Sequence, residues 1–589
     1  MRRAGWLLLL WCALGMAADD AVTRGAAVYR FGPVFPEAPA DWPIARVSAF
    51  KSKFGARSVP TIVGSLFLNP AAAEAAVQRA AAIMPTLARR SRVAKPGHSH
   101  AADIVAHGMR IIGVDASVES DAAGVLVTDA GVEGGWQAAR IAAAGGRPAV
   151  VLRPERAHRY LDGLSFVALD CEVPRLARAL AAGERPWQRL RTFHVTHAIE
   201  SDRGVPIVAD GAGHALWCWL PLDRSGVLLI GTELARDLTR IRQGDPAAAA
   251  NRPTEAQWGF VGERPNYLFE GQLEPHRPHE RYADWWLWTL RNALERHAGV
   301  VPKAVLPFGA PGAVVVTGDD DQAALADYRG QAEKLGPLPV TYFLHPLTKH
   351  DRASLTAHAK GRAIEWELHP DALEMPQSYA ARLAEQTRWF EALTGRRARL
   401  VRNHGFLNDG YWGHAPAWLA EGIIGSSNLP GLDARMLNGS LLPARLALGG
   451  QLTAHWSVLT AFGDGVFFIC EWDGARAQAA VMAEGRRILD SGVPGILVFN
   501  LHPANHEKAD GMHRAVRALI DELGFAAMTL GDAIKWFQAR DEGVHLDELD
   551  SMVPPRSFSS LSRNAFARAA LALARHLLGA RRRERFGDA

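Results

Sequence analysis

The chain has 589 residues, of which 48% are hydrophobic and 22% are charged, and its net charge at pH 7 is +4. This length predicts two or three domains, and this composition is that of a globular protein with a large core. Because the charges nearly balance, we expect no dominant basic surface and no nucleic-acid partner.

The first residues predict a secretory signal peptide over residues 1–18. Arg2 and Arg3 precede an apolar stretch that ends in a small-residue cleavage pattern at Gly15–Ala17. The stretch is too short to span a bilayer, and no later run reaches the roughly 18 uninterrupted apolar residues of a transmembrane helix. The sequence therefore predicts a periplasmic or secreted mature chain without an integral membrane segment.

Residues 19–298 alternate short apolar segments with Ala-rich helical segments, which predicts an open α/β sheet domain. The segments "AGVLVTDAG", "RPAVVLRP", "HALWCWLPL" and "GVLLIGTEL" are predicted strands, and "WQAARIAAAGG" is a predicted helix. The pattern loosely resembles glutamine-amidotransferase-like domains. Cys171 and Cys218 lack the flanking glycines of a nucleophile elbow, so we interpret this domain as non-catalytic.

Aromatic residues between Gly231 and Trp286 leave two interpretations open. Trp258, Tyr267, Trp285 and Trp286 either stack on sugar rings or pack at the interface between the two halves of the chain.

A Pro- and Gly-rich segment over residues 299–312 begins the second half, in which strands again alternate with helices. The predicted strands are "AVVVTG", "PVTYFLH", "AIEWELH", "RLVRNHG", "GIIGSSN", "VFFICEW" and "GILVFNLH". This pattern predicts a distorted (β/α)7-type barrel over residues 299–540, with its chemistry at the carboxyl ends of the strands. Residues 541–589 predict a C-terminal helical tail.

Asp319, Asp320 and Asp321 follow the first of these strands directly. Three adjacent carboxylates repel one another in a cleft unless a cation compensates them, and helix capping accounts for only one of the three. His369 and His404 also follow predicted strands. Imidazole together with carboxylate suits zinc, with one position open for water.

These motifs resemble those of the polysaccharide deacetylases, carbohydrate esterases that remove N- or O-acetyl groups. "TGDDD" is similar to the family's Thr-Phe-Asp-Asp-Gly motif, which implies that Asp319 is the catalytic base and Asp320 a metal ligand. "IEWELHPD" is similar to the second motif and implies that His369 binds the metal. "RNHGF" and "NLH" occupy the places of the last two motifs, which implies that Arg402 orients the base and His502 is the acid.

The chain departs from the family at the third metal ligand. The second family motif has two histidines four residues apart, and here Glu365 stands four residues before His369. We expect His404 to be the third ligand, with Asp371 or Glu365 as alternatives. Gly318 and Asp321 also replace the Phe and Gly of the first motif.

The resemblance implies an extracytoplasmic, metal-dependent hydrolase, with zinc as the expected metal, that cleaves the amide or ester bond of an acetylated polysaccharide or oligosaccharide. A catalytically altered deacetylase-like protein, which binds glycan or assists polysaccharide export or assembly, is the alternative. Hydrolysis of a non-sugar amide is a third interpretation, because barrels of this kind host varied chemistry.

Overall fold

The computed structural model describes residues 98–156, 164–169, 175–180, 185–222, 224–249, 264–269, 280–371, 379–431 and 439–543. The chain divides into two compact units, Met1–Val93 and Ala94–Ala589, and every described residue belongs to the second unit. The predicted signal peptide, Trp258, Cys171 and nearly all of the predicted C-terminal tail lie outside the described residues.

The first part of the described chain forms a mixed sheet and a separate strand pair. Its strands are β1 (Ala116–Ser117), β2 (Val125–Asp129), β3 (Ala149–Leu152), β4 (Leu164–Leu169), β5 (Arg175–Ala179), β6 (Arg189–Thr192), β7 (Thr196–Ser201), β8 (Val205–Asp210), β9 (Ala215–Leu222) and β10 (Ser225–Ile230). The sheet order is β1-β2-β3-β10-β9-β8-β5-β6, and β4 pairs with β7. Strands β1, β2, β3 and β10 are parallel, and β9, β8, β5 and β6 continue the sheet antiparallel.

The second part forms a larger sheet. Its strands are β11 (Ala313–Asp319), β12 (Val340–Leu344), β13 (Ile364–Leu368), β14 (Leu400–Val401), β15 (Gly425–Pro430), β16 (Ala444–Leu448), β17 (Gln451–Thr460), β18 (Phe462–Gly463), β19 (Ile496–Asn500) and β20 (Ala526–Ala527). Their order is β16-β17-β15-β14-β13-β12-β11-β19-β18, and β20 pairs with β11. Of these pairs only β16 with β17 is antiparallel.

Helices connect or flank these strands. They are α1 (His100–Ile111), α2 (Gly135–Ala144), α3 (Leu234–Gln243), α4 (Pro246–Ala249), α5 (Tyr282–Ala298), α6 (Leu325–Leu335), α7 (Arg352–Ala359), α8 (Tyr379–Thr394), α9 (Ala415–Ala420), α10 (Val466–Ile469), α11 (Gly474–Ser491), α12 (Asp510–Asp521) and α13 (Leu530–Asp541). Local sequence fixes several ends. The Asp473 carboxylate accepts the Arg476 N–H at the start of α11, and left-handed Gly492 ends that helix.

The described structure is mixed α/β with several sheets, as the alternating pattern predicts. The expected barrel is not confirmed, because among the described residues no strand pair joins β18 to β16 and closes the second sheet. The predicted strand "VFFICEW" is wrong, since Val466–Ile469 form a short helix. A short apolar run does not distinguish strand from helix by its pattern, and here Val466 and Phe467 are buried whereas Phe468 and Ile469 are exposed.

A continuous core joins the two parts of the described chain. One cluster of buried side chains includes Trp217 and Trp286 from the first part and Val498 and Phe537 from the second. Trp285 and Trp286 are buried in it, and Tyr267 is buried in the neighbouring cluster, so packing rather than exposed sugar stacking describes these three aromatics. Among the described residues, no helix has both the length and the apolarity needed to cross a bilayer.

Candidate active site

The parallel strands of the second sheet end side by side, and polar residues follow each end. Asp319 pairs with Phe343 in register, and Leu344 pairs with Leu368. Leu368 pairs in turn with Val401. The residues that follow these ends are therefore neighbours, and together we call them the carboxyl-end site: Asp319, Asp320, Asp321, His345, His369, Asp371, Arg402, His404 and His502.

The backbone around this site adopts conformations that side chains disfavour. Asp321 and Gln322 have φ of 40° and 62°, and Phe406, two residues after His404, has φ of 61°. Left-handed conformations of non-glycine residues carry strain and concentrate at functional sites. Asp321 and Gln322 form the turn that follows β11, and Phe406 lies in the segment that follows β14.

Asp319 is a buried carboxylate held by an arginine. Its Oδ1 accepts Arg402 Nη1 at 2.9 Å, and its Oδ2 accepts Asn500 Nδ2 at 2.8 Å. Burial alone would raise the pKa of Asp319, but the charge of Arg402, aided by the nearby histidines, outweighs it and lowers the pKa below its usual range. Asp319 is therefore ionised at neutral pH and fixed in orientation.

Arg402 is itself fully buried and held from several sides. Its Nη2 donates to Thr317 Oγ1 at 2.7 Å, and its Nε donates to the Ser427 carbonyl at 3.1 Å. These bonds leave the guanidinium little freedom to turn away from Asp319.

His502 is oriented by Asp464, which follows β18. Its Nδ1 lies 2.8 Å from Asp464 Oδ1, and its backbone N–H donates to Asp464 Oδ2 at 2.8 Å. Burial alone would lower the pKa of His502, but the charge and hydrogen bond of Asp464 outweigh it and raise the pKa to about 10. The Nε2–H of this cation faces Asp321 Oδ2 at 3.5 Å and Asp319 Oδ2 at 3.8 Å.

In its neutral form His369 presents a nitrogen with a lone pair to the site. Burial alone would lower the pKa of His369, but the neighbouring Asp319 and Asp321 outweigh it and raise the pKa in the metal-free protein. Its Nδ1 lies 2.7 Å from the Arg402 carbonyl, and because a carbonyl only accepts, Nδ1 carries the hydrogen. In the neutral ring Nε2 is then an acceptor, 3.4 Å from Asp321 Oδ1. A backbone carbonyl on one imidazole nitrogen is the usual orientation of a histidine that ligates metal through the other.

His404 stands between two carboxylates. Its Nε2 lies 3.9 Å from Asp321 Oδ1, and its Nδ1 lies 3.6 Å from Asp371 Oδ1. Asp321, His369 and His404 form one group whose ligand atoms all lie within 4.8 Å of one another. A second group, His345, Asp371 and His404, meets the same distance limit.

Asp320 belongs to neither group. Its Oδ1 accepts the Tyr328 hydroxyl at 2.8 Å, and burial raises its pKa despite the neighbouring Thr348 and Tyr328 hydroxyls. Its assignment as a metal ligand stays a prediction. Asp321, the neighbouring carboxylate, is the one that the structure brings to both His369 and His404.

The chemistry of these donors fits a divalent cation. Within the described chain, the buried Nε2 of His369 and Nδ1 of His404 have no hydrogen-bond partner, and neither has Oδ2 of Asp320. Buried polar groups without partners are rare in proteins and indicate a missing ligand, ion or water. Imidazole with carboxylate is the donor set that zinc prefers.

Glu365 lies at the start of β13, whereas His369 follows its end. The Glu365 carboxylate accepts the Thr341 hydroxyl at 2.8 Å and the Gly531 N–H at 2.9 Å. These contacts direct it away from the carboxyl-end site, so among the alternatives for a third ligand the structure brings His404 and Asp371 together and leaves Glu365 apart.

Comparison with solved structures finds carbohydrate-active neighbours at low similarity. A protein of Bordetella bronchiseptica described as a polysaccharide deacetylase of O-antigen biosynthesis has 18% identity and a TM-score of 0.24, with 44% of this chain and 93% of that one covered. A family 4 carbohydrate esterase from Bacillus anthracis has 14% identity and a TM-score of 0.23, with 38% and 83% covered. A polysaccharide deacetylase from Bacillus cereus has 13% identity and a TM-score of 0.23, with 37% and 91% covered.

No protein-family model and no curated protein matches the chain. Because the TM-scores lie below 0.5, the structural matches carry no argument about function. The function of this chain must therefore be inferred from the geometry of the carboxyl-end site.

Sequence reasoning missed two groups that support the site. Asp464 orients His502 and Asn500 binds Asp319, although neither was singled out for a role. Asn500 stands at the end of a predicted strand, two residues before His502, which is a signal that could have identified it. Asp464 lies in "FGDG" before a segment that was misinterpreted as a strand, so its position at the sheet edge was hidden.

Proposed function

We propose that this protein is an extracytoplasmic, metal-dependent hydrolase that deacetylates an N- or O-acetylated polysaccharide or oligosaccharide on a deacetylase-like sheet. The observation that carries the proposal is a convergence at one sheet edge. His369 and His404 meet the Asp321 carboxylate there, beside Asp319, which Arg402 holds, and His502, which Asp464 holds. The groups proposed to bind the metal and those proposed to transfer protons are thus neighbours, and the latter are held in fixed orientations.

The proposed ligands of the cation are His369 and His404, with Asp320 or Asp321 as the carboxylate and zinc as the expected metal. When bound, such a cation polarises the acetyl carbonyl and makes the attacking water more acidic. The chain's own contribution is to hold these donors in place, since the Arg402 carbonyl fixes the His369 ring and the strained turn at Asp321 aims its carboxylate at that ring.

Asp319 is the proposed base. It is ionised at neutral pH, and Arg402 and Asn500 hold both of its oxygens, so it meets the attacking water in a single orientation. His502 is the proposed acid. Its proton is retained at neutral pH because of Asp464, and a pKa of about 10 suits transfer to a leaving amine, which is itself a strong base.

The test is acetate release from acetylated oligosaccharides by the purified, zinc-loaded protein. We expect Asp319→Asn to lower kcat by about 10²–10⁴-fold while bound zinc stays unchanged. Asp473→Asn, which removes an exposed charge at the start of α11 and keeps the capping acceptor, is the matched control and should keep its activity. Turnover that is the same in both variants would contradict the proposal.

A glycan-binding or export role without turnover is the second candidate. Two observations favour it: the low pKa of Asp319 makes it a weak base, and Glu365 replaces a histidine of the resembled family and points away from the site. Under this proposal, immobilised protein retains an acetylated glycan and releases no acetate even with added zinc. Stoichiometric acetate release would exclude it.

The extracytoplasmic location is proposed from the N-terminal sequence. Fractionation of cells that express the full chain, with N-terminal sequencing of the mature protein, tests it. We expect a mature N-terminus near residue 19 in the periplasmic or secreted fraction, and a cytoplasmic chain that keeps Met1 would contradict it.

A further inference from the structure

His345 is a buried histidine of the carboxyl-end site for which the mechanism above has no use. It follows β12 directly and is only 3% exposed. Its ring centre lies 5.0 Å from that of His404 and 6.0 Å from that of His369. His345 therefore lies among the residues proposed to hold the cation and, with Asp371 and His404, meets the distances of a metal group.

The backbone fixes the tautomer of this ring. The Leu347 N–H donates to His345 Nδ1 at 3.1 Å, and an amide N–H cannot accept a hydrogen bond. Nδ1 must therefore hold the lone pair, and in the neutral ring the hydrogen is on Nε2. His369 has the opposite arrangement, because its Nδ1 donates to a carbonyl.

This difference separates the two metal-like groups. A neutral imidazole ligates metal through a nitrogen that carries no hydrogen, which holds for His369 Nε2 and fails for His345 Nε2. The group of His345, Asp371 and His404 thus has suitable distances and an unsuitable tautomer. His345 Nε2 is a donor that points into the site.

That donor has no acceptor. In the described part of the chain, His345 Nε2 is buried without a hydrogen-bond partner, and the nearest carboxylate oxygen recorded for it, Asp371 Oδ2, is 3.7 Å away. This separation is too long for a hydrogen bond. A buried N–H without an acceptor carries a desolvation penalty, which a bound oxygen atom would remove.

We propose that His345 is a substrate-binding residue whose Nε2–H donates to the acyl oxygen of an acetamido or acetyl-ester group. This inference rests on the proposed hydrolase function and adds to it a hydrogen-bond donor for the oxygen on which negative charge develops. A preoriented donor of this kind stabilises the transition state, because it needs no reorganisation when the charge on the oxygen forms.

Two substitutions separate this role from a structural one. His345→Asn places its side-chain oxygen near the position of Nδ1, so it keeps an acceptor for Leu347 N–H and removes the donor at Nε2. His345→Gln places its amide near the position of Nε2 and restores an N–H donor there. We expect kcat to fall by about 10²–10³-fold in His345→Asn, with partial recovery in His345→Gln.

Metal content distinguishes this role from ligation. Bound zinc per chain and zinc affinity should be unchanged in His345→Asn. Weaker zinc binding in that variant would overturn the proposal and make His345 a ligand. Unchanged kcat with unchanged zinc would also overturn it and leave His345 as a support for the loop.

The tautomer can be measured without any activity. Nitrogen-15 spectra of the full protein labelled at histidine should give an Nε2–H tautomer for His345. His455 is a suitable internal reference, because its Nδ1 lies 3.1 Å from the Ile423 carbonyl and must carry the hydrogen. An Nδ1–H tautomer for His345 would overturn the inference even if the protein is a deacetylase.

Acetate is the probe for the binding site. We expect acetate to shift the His345 Nε2 resonance of the zinc-loaded wild type and to leave the His455 resonances in place. If the wild type releases no acetate from any substrate, the proposed function fails, yet the tautomer and the acetate shift still decide whether His345 is an oxygen-binding donor. An unshifted His345 at saturating acetate would overturn the binding role.

Discussion

Two buried carboxylate clusters of this protein differ in how their charges are balanced. Asp541, at the end of α13, accepts Arg110 Nε at 2.8 Å on Oδ1 and Arg445 Nη1 at 3.1 Å on Oδ2. His107 Nδ1 lies 2.9 Å from Oδ1. These partners come from α1 and β16, so the Asp541 cluster, defined as Asp541, His107, Arg110 and Arg445, joins the start and the end of the described chain.

The carboxyl-end site shows the opposite balance. Arg402 and His502 compensate part of its negative charge, but Oδ2 of Asp320 has no hydrogen-bond partner in the described chain, whereas both carboxylate oxygens of Asp541 accept hydrogen bonds from arginine. The comparison teaches that this fold can satisfy a buried carboxylate with its own cations where stability requires it. Where a buried carboxylate lacks such partners, as at Asp320, we expect a bound cation or substrate to supply them.

The largest effect is expected from removal of the Asp541 carboxylate. Asp541→Ala leaves the half-buried guanidinium groups of Arg110 and Arg445 without a counter-charge and removes the acceptor beside His107 Nδ1, which should lower the free energy of unfolding by about 3–5 kcal/mol in urea titrations. The exposed pair of Asp115 and Lys303 is the matched control, and Asp115→Ala should cost no more than about 1 kcal/mol. Equal costs would contradict the contrast.

The second-largest effect is expected from acid, which should lower the stability of the folded protein through the Asp541 cluster. Burial lowers the pKa of His107 to about 4, and His107 Nε2 accepts the Arg445 N–H, a bond that protonation would break. Because the unfolded chain binds this proton from about pH 6.5 downward and the folded chain only near pH 4, stability falls as pH drops through that window. The loss is on the order of 3 kcal/mol, and His107→Gln should flatten it. An unchanged slope in the variant would contradict this.

At the carboxyl-end site, Asp464→Asn should weaken the acid. Without the carboxylate, the pKa of His502 falls from about 10, and the alkaline limb of kcat/KM moves toward neutral pH. We expect a loss of about 10²-fold at pH 8–9. Asp473→Asn should leave the limb in place, and a limb that does not move in Asp464→Asn would exclude His502 as the acid.

The smallest effect is expected from replacement of Asp320, which should stabilise the metal-free protein and destabilise the zinc-bound protein. Burial raises the pKa of Asp320, so its ionised form is unfavourable in the metal-free fold. Asp320→Asn keeps an acceptor for the Tyr328 hydroxyl and should raise the Tm of the metal-free protein. If Asp320 ligates the cation, zinc affinity falls by about tenfold or more. Unchanged zinc affinity would assign the ligand role to Asp321.

The sequence indicated the carboxyl ends of β11, β12 and β13, because each apolar run is followed directly by Asp or His, but it placed a further strand end at a segment that is a helix. It did not predict which carboxylate faces the imidazoles. That depends on the left-handed turn at Asp321 and Gln322. Asp tolerates this conformation but adopts many others, and Gln rarely adopts it, so the sequence does not predict the turn.

The sequence also did not predict the tautomers of His345 and His369 or the supporting role of Asp464. His345 and His369 both follow strands, and only their backbone neighbours, an N–H for one and a carbonyl for the other, make them different. The misinterpreted segment at Val466–Ile469 hid Asp464 for a different reason, since four apolar residues fit a helix turn as well as a strand.

The most direct test is the zinc content of the purified full chain after dialysis against zinc, measured for the wild type, His369→Ala and His358→Ala. His358 is a histidine on α7 that packs against Tyr328 and lies in neither metal-like group, so it serves as the control. We expect about one zinc per chain in the wild type and the control, and loss of that zinc in His369→Ala. A wild type without bound zinc, or a His369→Ala variant that binds zinc as tightly as the wild type, would contradict this expectation.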